Sequence, residues 1–216
     1  MADLILALDV SDRKKARGIA HACAPYIDVI KIGYPLVLSC GLSIVQDLAE
    51  EKLPIIADFK VADIPNTNEL ICERVFDAGC AAVICHGFVG MDSMKACVEI
   101  AQQHKGACYV VAEMSHPGGK EFFSGGVAEQ IASDAMIAGA DGIIAPATRP
   151  DRVKVLRGFV GRHKILSPGI GAQGGDADAV ASLVDGIIVG RSIYDAADPA
   201  KAAQAYAHVR KIHPAY

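Results

Sequence analysis

Residues 54–67 read PIIADFKVADIPNT, and this stretch changes character near its midpoint. Its first half, from Pro54 to Phe59, is a short apolar run of strand type that contains one aspartate, Asp58. Pro65 then suits the first turn of a helix, because proline has no N–H group to leave unsatisfied there. The stretch therefore predicts a buried strand, a short polar loop and a helix, in that order.

Three charged side chains lie in this otherwise apolar segment: Asp58, Lys60 and Asp63. Alternate residues of a strand share a face, so Asp58 and Lys60 are expected to point the same way, with Asp63 just past the strand. The spacing predicts that two carboxylates flank one ammonium group. A structural salt bridge would explain a single Asp-x-Lys pair. Buried charge is costly unless it is paired, however, and such clusters concentrate at functional sites, which favours catalysis.

The same strand–helix pattern repeats along the chain. Short segments rich in Ile, Val and Ala predict strands at 4–10, 27–32, 55–59, 81–85, 108–112, 142–145, 164–166 and 186–189. Predicted helices follow the strands at 13–23, 42–52, 65–78, 92–104, 126–138, 149–160 and 199–212, and a short helix that ends at residue 183 follows the seventh strand. Parallel strands that are covered on both faces are apolar in this way. Eight units predict a single (β/α)8 TIM barrel domain over residues 1–216, and a doubly wound open sheet is the alternative.

Composition restricts the functional class. The hydrophobic fraction is 52%, so the chain can bury a sizeable core, and the net charge of −4 gives no general attraction for nucleic acid or an anionic membrane. No segment has the length or flanks of a membrane span or a signal peptide. The seven cysteines include no C-x-x-C pair. They predict buried free thiols in a reducing cytoplasm and no zinc site.

Polar residues stand at the carboxyl ends of the predicted strands. Barrels of this kind build their active sites at that face, with residues from several strands. We therefore expect one site to contain Asp9, Lys31, Asp58, Lys60, Ser115, Gln173 and Arg191.

Glycine-rich segments follow the seventh and eighth predicted strands. Residues 167–176 read SPGIGAQGGD, and Gly190-Arg191 follows an Ile-Ile-Val run. Glycine lets backbone N–H groups approach a ligand closely, and these two loops commonly bind phosphate in barrels. An arginine at this position favours a phosphate site over an ordinary tight loop.

The sequence resembles the orotidine 5'-phosphate decarboxylase family in its short archaeal form. The segments that carry the resemblance are LALDV, VIKIGYPLVL, IIADFKVADIPNTN, HGF, EMSHPG, ATRP, SPGIGAQGGD and IIVGRSIY. The Asp-x-Lys-x-x-Asp core is also shared by 3-keto-L-gulonate 6-phosphate decarboxylases and hexulose phosphate synthases. Those metal-dependent relatives typically have a glutamate metal ligand where this chain has Lys31, whose charge would repel Mg²⁺.

The resemblance implies decarboxylation of orotidine 5'-monophosphate to UMP and CO₂, the last step of pyrimidine nucleotide synthesis. It implies no metal and no organic cofactor. The residues it assigns to catalysis are Lys31, Asp58, Lys60 and Asp63, with Lys60 as the proton donor to C6 of the pyrimidine.

The resemblance also assigns substrate contacts. Asp9 and Lys31 would contact the ribose, and Ser115 the amide edge of the pyrimidine. Gly190 and Arg191 would bind the phosphate, and Gln173 would link the base and the phosphate from the closing loop. Pro168 would be a further substrate-binding residue.

The same resemblance implies a homodimer with shared sites. Asp63, Ile64 and Thr67 would be contributed to the neighbouring subunit's site. Two other functions stay open: a phosphate-binding barrel or nucleotide-pool regulator without activity, and a Mg²⁺-dependent sugar-phosphate lyase. The intact charged cluster argues against a pure binder, and activity in EDTA would separate the two enzymes.

Overall fold

The computed structural model describes residues 1–211. The eight strands are β1 (Asp3–Ala7), β2 (Val29–Gly33), β3 (Ile55–Val61), β4 (Ala82–His86), β5 (Ala107–Val111), β6 (Gly142–Ile144), β7 (Lys164–Pro168) and β8 (Gly186–Val189). Each strand pairs in parallel with the next, and β8 pairs with β1, so the sheet closes. This closure confirms the (β/α)8 TIM barrel and excludes the open sheet.

Helices cover the outside of the barrel. They are α1 (Arg13–Cys23), α2 (Tyr34–Cys40), α3 (Ile44–Leu48), α4 (Pro65–Asp77), α5 (Met91–Gln103), α6 (Gly119–Phe123), α7 (Val127–Ala138), α8 (Pro150–Val160), α9 (Ala177–Val180), α10 (Arg191–Tyr194) and α11 (Pro199–Gln204). The predicted start signal at Pro65 is confirmed, since Pro65 lies in the first turn of α4. Asp12 caps α1 by accepting from the Lys15 N–H.

Several predicted boundaries were wrong. No helix was expected between the strand at 27–32 and the helix at 42–52, yet α2 begins at Tyr34 with proline in its first turn. The helix predicted at 42–52 is only α3 followed by a 3₁₀ turn at Ala49–Glu51, which ends at Lys52 in the left-handed region. Strand β1 ends at Ala7, so Asp9 lies beyond it.

The last predicted helix also ends early. It was expected to reach residue 212, which lies outside the described residues, but α11 ends at Gln204. The chain then turns back, because Ala2 donates to the Val209 carbonyl and Lys211 donates to the Ala2 carbonyl. A continuous helix could not make these contacts with the start of β1.

The core has two apolar layers on opposite faces of the sheet, as alternation along parallel strands requires. Inside the barrel lie Ile5, Ile56, Ile84, Val111, Ile144, Leu166 and Ile188. Between the sheet and the helices lie Leu4, Leu6, Ile30, Ile32, Val83, Val110, Ile143 and Ile187, with helical partners such as Ile19 and Val153. This packing fixes which side chains reach the barrel mouth. Within residues 1–211, no helix combines the length and apolarity that a membrane crossing requires.

Candidate active site

A cavity of about 730 Å³ opens at the carboxyl ends of the strands. Part of its wall is apolar and comes from the barrel interior: Ile84, Val111, Ile144 and Ile188. Nine of the twelve predicted site residues line it: Asp9, Lys31, Asp58, Lys60, Ser115, Pro168, Gln173, Gly190 and Arg191. The cavity volume is in the range of a small-molecule site.

The charged centre of the cavity is Asp58 between two lysines. Lys31 Nζ donates to Asp58 Oδ2 at 2.7 Å, and Lys60 Nζ donates to Oδ1 at 2.7 Å. The side chains of Lys31 and Asp58 are only 5% and 11% exposed. Each oxygen of the carboxylate therefore has its own ammonium partner, and the short contacts are those of charge-assisted hydrogen bonds.

The pair Lys31 and Asp58 is held in its charged form. Burial alone would lower the pKa of Lys31, but the nearby carboxylates of Asp58 and Asp9 outweigh it and raise that pKa. Burial alone would raise the pKa of Asp58, but Lys31 and Lys60 outweigh it and hold that pKa below its ordinary value. Both groups are therefore ionised at neutral pH.

Lys60 reaches Asp58 through an irregularity in β3. Its φ is 46°, in the left-handed region that non-glycine residues seldom adopt. The pairing of β3 with β4 shifts register between Ala57 and Val61 at the same place. Such bulges re-aim side chains next to active sites. The prediction that Asp58 and Lys60 face the same way is confirmed, although regular strand alternation is not the reason.

Asp9 approaches Lys31 because Gly33 has no side chain. A Cβ atom at Gly33 would lie 2.7 Å from Asp9 Oδ1, closer than a real Cβ contact. The negative charge of Asp9 contributes to the raised pKa of Lys31. Gly33 is thus part of how the fold fits a second carboxylate beside the buried lysine.

Asp63, Ile64 and Thr67 do not line the cavity of their own chain. Asp63 is exposed, and its Oδ1 accepts from the Ile64 N–H at 2.7 Å, while Ile64 is 65% exposed. Within residues 1–211, Asp63 forms no ion pair with Lys60, so the predicted flanking of Lys60 by two carboxylates is wrong inside one chain. The loop turns outward because buried Asn68 accepts from the Asp63 N–H and donates to its carbonyl.

The glycine-rich segment after β7 folds over the opposite side of the cavity. Ser115 Oγ donates to Gln173 Oε1 at 2.9 Å, which joins the loop after β5 to this segment. Gly171 has a φ of 68°, and a Cβ there would collide with Ser192 Oγ. Arg191 begins α10, is exposed, and forms no ion pair with any residue in the range 1–211.

Sequence reasoning missed several cavity residues, among them Glu113, Thr148, Arg149 and Tyr194. Thr148 and Arg149 belong to the ATRP segment after β6, so the strand-end rule could have found them. Thr148 Oγ1 donates to the Ser115 carbonyl at 2.9 Å. Tyr194 lies one helical turn beyond Arg191, within the IIVGRSIY segment.

His86, at the end of β4, is a further side chain whose pKa is shifted by its surroundings. Its ring lies 4.8 Å from that of Phe88 and 6.4 Å from that of Phe123. Its buried Nδ1 has no hydrogen-bond partner among residues 1–211. Burial and the positive charge of Lys60 lower the pKa of His86 to about 4. In that same range of residues, no group of three or more His, Cys, Asp or Glu side chains is placed to hold a metal ion.

Known proteins are similar to this chain in both sequence and fold. The sequence model of the Orotidine 5'-phosphate decarboxylase / HUMPS family matches residues 2–206. An orotidine 5'-phosphate decarboxylase of Methanococcoides burtonii is 59% identical over 203 residues, which cover 93% of this chain and 94% of that protein. The crystal structure of orotidine 5'-monophosphate decarboxylase from Methanocaldococcus jannaschii complexed with inhibitor BMP has a TM-score of 0.93 at 40% identity, covering 97% of this chain and 98% of that one. This chain therefore belongs to the orotidine 5'-phosphate decarboxylase / HUMPS family.

Proposed function

We propose that this protein decarboxylates orotidine 5'-monophosphate to UMP and CO₂, as the last step of pyrimidine nucleotide synthesis. The observation that carries the proposal is the Lys31–Asp58–Lys60 cluster, which faces a cavity with an apolar wall. The relatives' names support this substrate, since proteins 59% and 56% identical to this chain are named orotidine 5'-phosphate decarboxylase.

The proposed chemistry uses Lys60 as a general acid. When the bond between C6 and the carboxyl carbon breaks, CO₂ leaves and the electron pair stays on C6. The Lys60 ammonium stabilises that developing charge and then gives its proton to C6. Its Nζ is held 2.7 Å from Asp58 and its side chain is 36% exposed toward the cavity, so the proton is available and can be replaced from solvent.

Asp58 and Lys31 have supporting catalytic roles in this proposal. Asp58 is ionised and would lie near the substrate carboxylate, while it also fixes the position of both ammonium groups. Lys31 neutralises part of the Asp58 charge and links it to Asp9, which would bind the ribose hydroxyls. A charged cluster with fixed geometry stabilises a transition state without reorganising first.

The phosphate would bind at the other side of the cavity. Arg191 supplies a guanidinium group without an ion-pair partner in residues 1–211, and it follows Gly190 directly. Gln173 on the segment after β7 would close over the phosphate, with Pro168 lining the same side. Ser115, bonded to Gln173, would meet the amide edge of the pyrimidine. Bidentate arginine contacts are well suited to phosphate.

We further propose that the protein acts as a homodimer. Asp63, Ile64 and Thr67 are turned away from their own cavity, and Ile64 is 65% exposed although it is a large apolar side chain. A second copy that covers this loop would bury Ile64 and could bring the Asp63 carboxylate toward the neighbouring Lys60. This arrangement supports a shared site and gives the second carboxylate of the motif a role.

A metal-independent reaction fits this site better than a Mg²⁺-dependent one. The position of Lys31 puts an ammonium group within 2.7 Å of Asp58, and Lys60 adds a second. A divalent cation would have to bind Asp58 in competition with both positive charges. The family also includes the HUMPS branch. Decarboxylation of orotidylate and a Mg²⁺-dependent reaction on a sugar phosphate must therefore be separated by experiment.

We place this activity in a single-domain enzyme of the reducing cytoplasm. The seven cysteines are all unpaired, and six of them are buried. Free buried thiols are typical of proteins from reducing compartments. The net charge of −4 supports small-molecule partners over nucleic acid or membrane.

The test is to follow the loss of orotidylate absorbance with and without EDTA, and to identify UMP and CO₂ as products. We expect full activity with the metal chelated. No turnover of orotidylate would overturn the proposal. Turnover of 3-keto-L-gulonate 6-phosphate that requires Mg²⁺ would overturn it in favour of the Mg²⁺-dependent sugar-phosphate lyase.

A further inference from the structure

A buried carboxylate lies behind the loop that carries Ser115. Glu113 follows β5 and is only 3% exposed. Its Oε1 accepts from Arg149 Nε at 2.9 Å, and its Oε2 accepts from Arg152 Nε at 2.9 Å. A carboxylate this deeply buried is costly unless both oxygens are satisfied, and here both oxygens bind arginine.

Arg149 transmits this fixed position to the loop backbone. Its Nη2 donates to the Met114 carbonyl, and its Nη1 donates to the Ser115 carbonyl at 3.4 Å. Thr148 Oγ1 donates to the same Ser115 carbonyl at 2.9 Å. The guanidinium is thus held on one edge by Glu113 and holds two successive carbonyls with its other nitrogens.

The loop held in this way presents one side chain to the cavity segment after β7. Ser115 Oγ donates to Gln173 Oε1 at 2.9 Å, and this hydrogen bond spans 58 positions in sequence. The loop after β5 has no regular structure before α6, so its backbone position depends on contacts such as those of Arg149. Small displacements of positioning groups cost large factors in rate.

We propose that Glu113 is a positioning residue that, through Arg149, sets the place of Ser115 and so the Ser115–Gln173 contact. The inference rests on the proposed function, because the Ser115–Gln173 contact would close the site over orotidylate. Removing the Glu113 charge frees the Arg149 guanidinium to rotate away from the Met114 and Ser115 carbonyls. Ser115 would then be displaced from the position in which it contacts Gln173 and the substrate.

The chain offers a matched control in the same network. Arg152 Nη1 donates to Glu129 Oε1 at 2.7 Å, and Glu129 lies on α7. Glu129→Gln removes one negative charge, as Glu113→Gln does. It weakens the contacts of Arg152, the second arginine that binds Glu113. Glu129 has no bond to residues 113–115, however, so its loss should leave the Ser115 loop in place.

The experiment is a double-mutant cycle on decarboxylation of orotidylate. It uses wild type, Glu113→Gln, Ser115→Ala and the double variant, with thermal midpoints measured in parallel. We expect Glu113→Gln to lower kcat/KM by about 10-fold or more. In the Ser115→Ala background the same change should cost less than about twofold, because its target is already gone. Glu129→Gln should stay within about twofold of wild type.

A second variant covers the possibility that Glu113→Gln does not fold. Arg149→Lys keeps the charge beside Glu113 but loses the planar fork that holds two carbonyls. It should give the same loss and the same dependence on Ser115. An equal loss with and without Ser115, or an equal loss in Glu129→Gln, would overturn the positioning role. A wild-type protein inactive on orotidylate would instead overturn the proposed function, and the positioning role with it.

Discussion

Lys31 Nζ lies 2.7 Å from Oδ2 of Asp58, although the two residues are 27 positions apart in sequence. They meet because β2 and β3 are neighbours in the barrel, with Gly33 opposite Asp58 and Lys31 two positions earlier on its strand. Asp58 is thereby held ionised although it is largely buried, and its other oxygen accepts a hydrogen bond from Lys60.

Lys60→Ala should abolish turnover and leave substantial ligand binding. Lys60 is the proposed proton donor, and general acid catalysis and electrostatic stabilisation each contribute about 10²-fold or more. The checks are kcat for orotidylate and the affinity for UMP by calorimetry. Lys95→Ala, at an exposed position on α5, should match wild type in both. A near-normal kcat in Lys60→Ala would remove the proposed role.

Mixing two inactive variants should restore activity. In a heterodimer of Lys60→Ala and Asp63→Ala protomers, one shared site keeps both intact residues and the other carries both lesions. We expect each variant alone to be inactive and the exchanged mixture to recover part of the wild-type rate. Subunit exchange must be shown independently, for example by mass differences. Exchange without recovered activity would contradict the contribution of Asp63 to the neighbouring site.

Arg191→Ala should lower kcat/KM for orotidylate by roughly 2–5 kcal/mol, the cost of losing a charge-assisted contact that becomes buried when the substrate binds and the site closes. The phosphate is remote from C6, so its binding acts by holding the site closed and aligned. Orotidine, which lacks the phosphate, should react poorly with wild type and almost equally poorly with the variant. If Arg191→Ala slows both substrates by the same factor, Arg191 has a structural role and the phosphate site lies elsewhere.

Gly33→Ala should disturb ribose binding. The new Cβ would lie 2.7 Å from Asp9 Oδ1, so the Asp9 carboxylate must shift from its present position. We expect KM for orotidylate to rise by about tenfold or more, with a smaller effect on stability. Gly18→Ala is the matched control, because a Cβ there meets no atom within 4 Å. This change should raise the free energy of unfolding by about 0.4–1 kcal/mol. An unchanged KM in Gly33→Ala would show that Asp9 does not need this space.

His86 should make the fold less stable in acid. Its pKa is lowered from 6.5 to about 4, first by burial and then by Lys60, so the folded protein holds the ring neutral. The unfolded chain takes up a proton below pH 6.5, so stability present above that pH is lost as the pH falls toward 4. The thermal midpoint of His86→Phe should therefore decline less than that of wild type between pH 7 and pH 5.

A control variant separates this effect from general acid destabilisation. His163 is exposed, and its Nδ1 lies 3.0 Å from the Val160 carbonyl oxygen. His163→Gln should follow the wild-type decline. The interpretation fails if His86→Phe and wild type lose the same number of degrees over this range.

The repeating strand–helix pattern was enough to predict the barrel and the edge that carries the site. Strands covered on both faces must be apolar throughout, so each one is visible as an Ile-, Val- and Ala-rich run. A polar residue near the end of such a run or after it, such as Lys31, Ser115 or Arg191, then lies at the carboxyl edge. For these residues local sequence was sufficient, because strand direction alone determines the edge to which they are carried.

The motif Asp58-x-Lys60-x-x-Asp63 shows where local reasoning ends. The sequence predicted that its first two members face one way, but the left-handed backbone at Lys60 was not visible in it. Nor was the outward turn of Asp63, which depends on hydrogen bonds to buried Asn68. Asn68 itself is fixed by Ser93 on α5, a residue 25 positions later.

By itself, then, the sequence determined the fold class and the polar edge, and nine of the twelve residues that it and the resemblance assigned to the site line the cavity. Only the tertiary structure decided which of these groups touch, that Gly33 admits Asp9 beside Lys31, and that Glu113 lies behind Ser115. The physical reason is that hydrophobic periodicity is a property of neighbouring residues and follows from burial. Ion pairs and close approaches depend on strand register and loop packing, which are set by contacts between residues far apart in the chain.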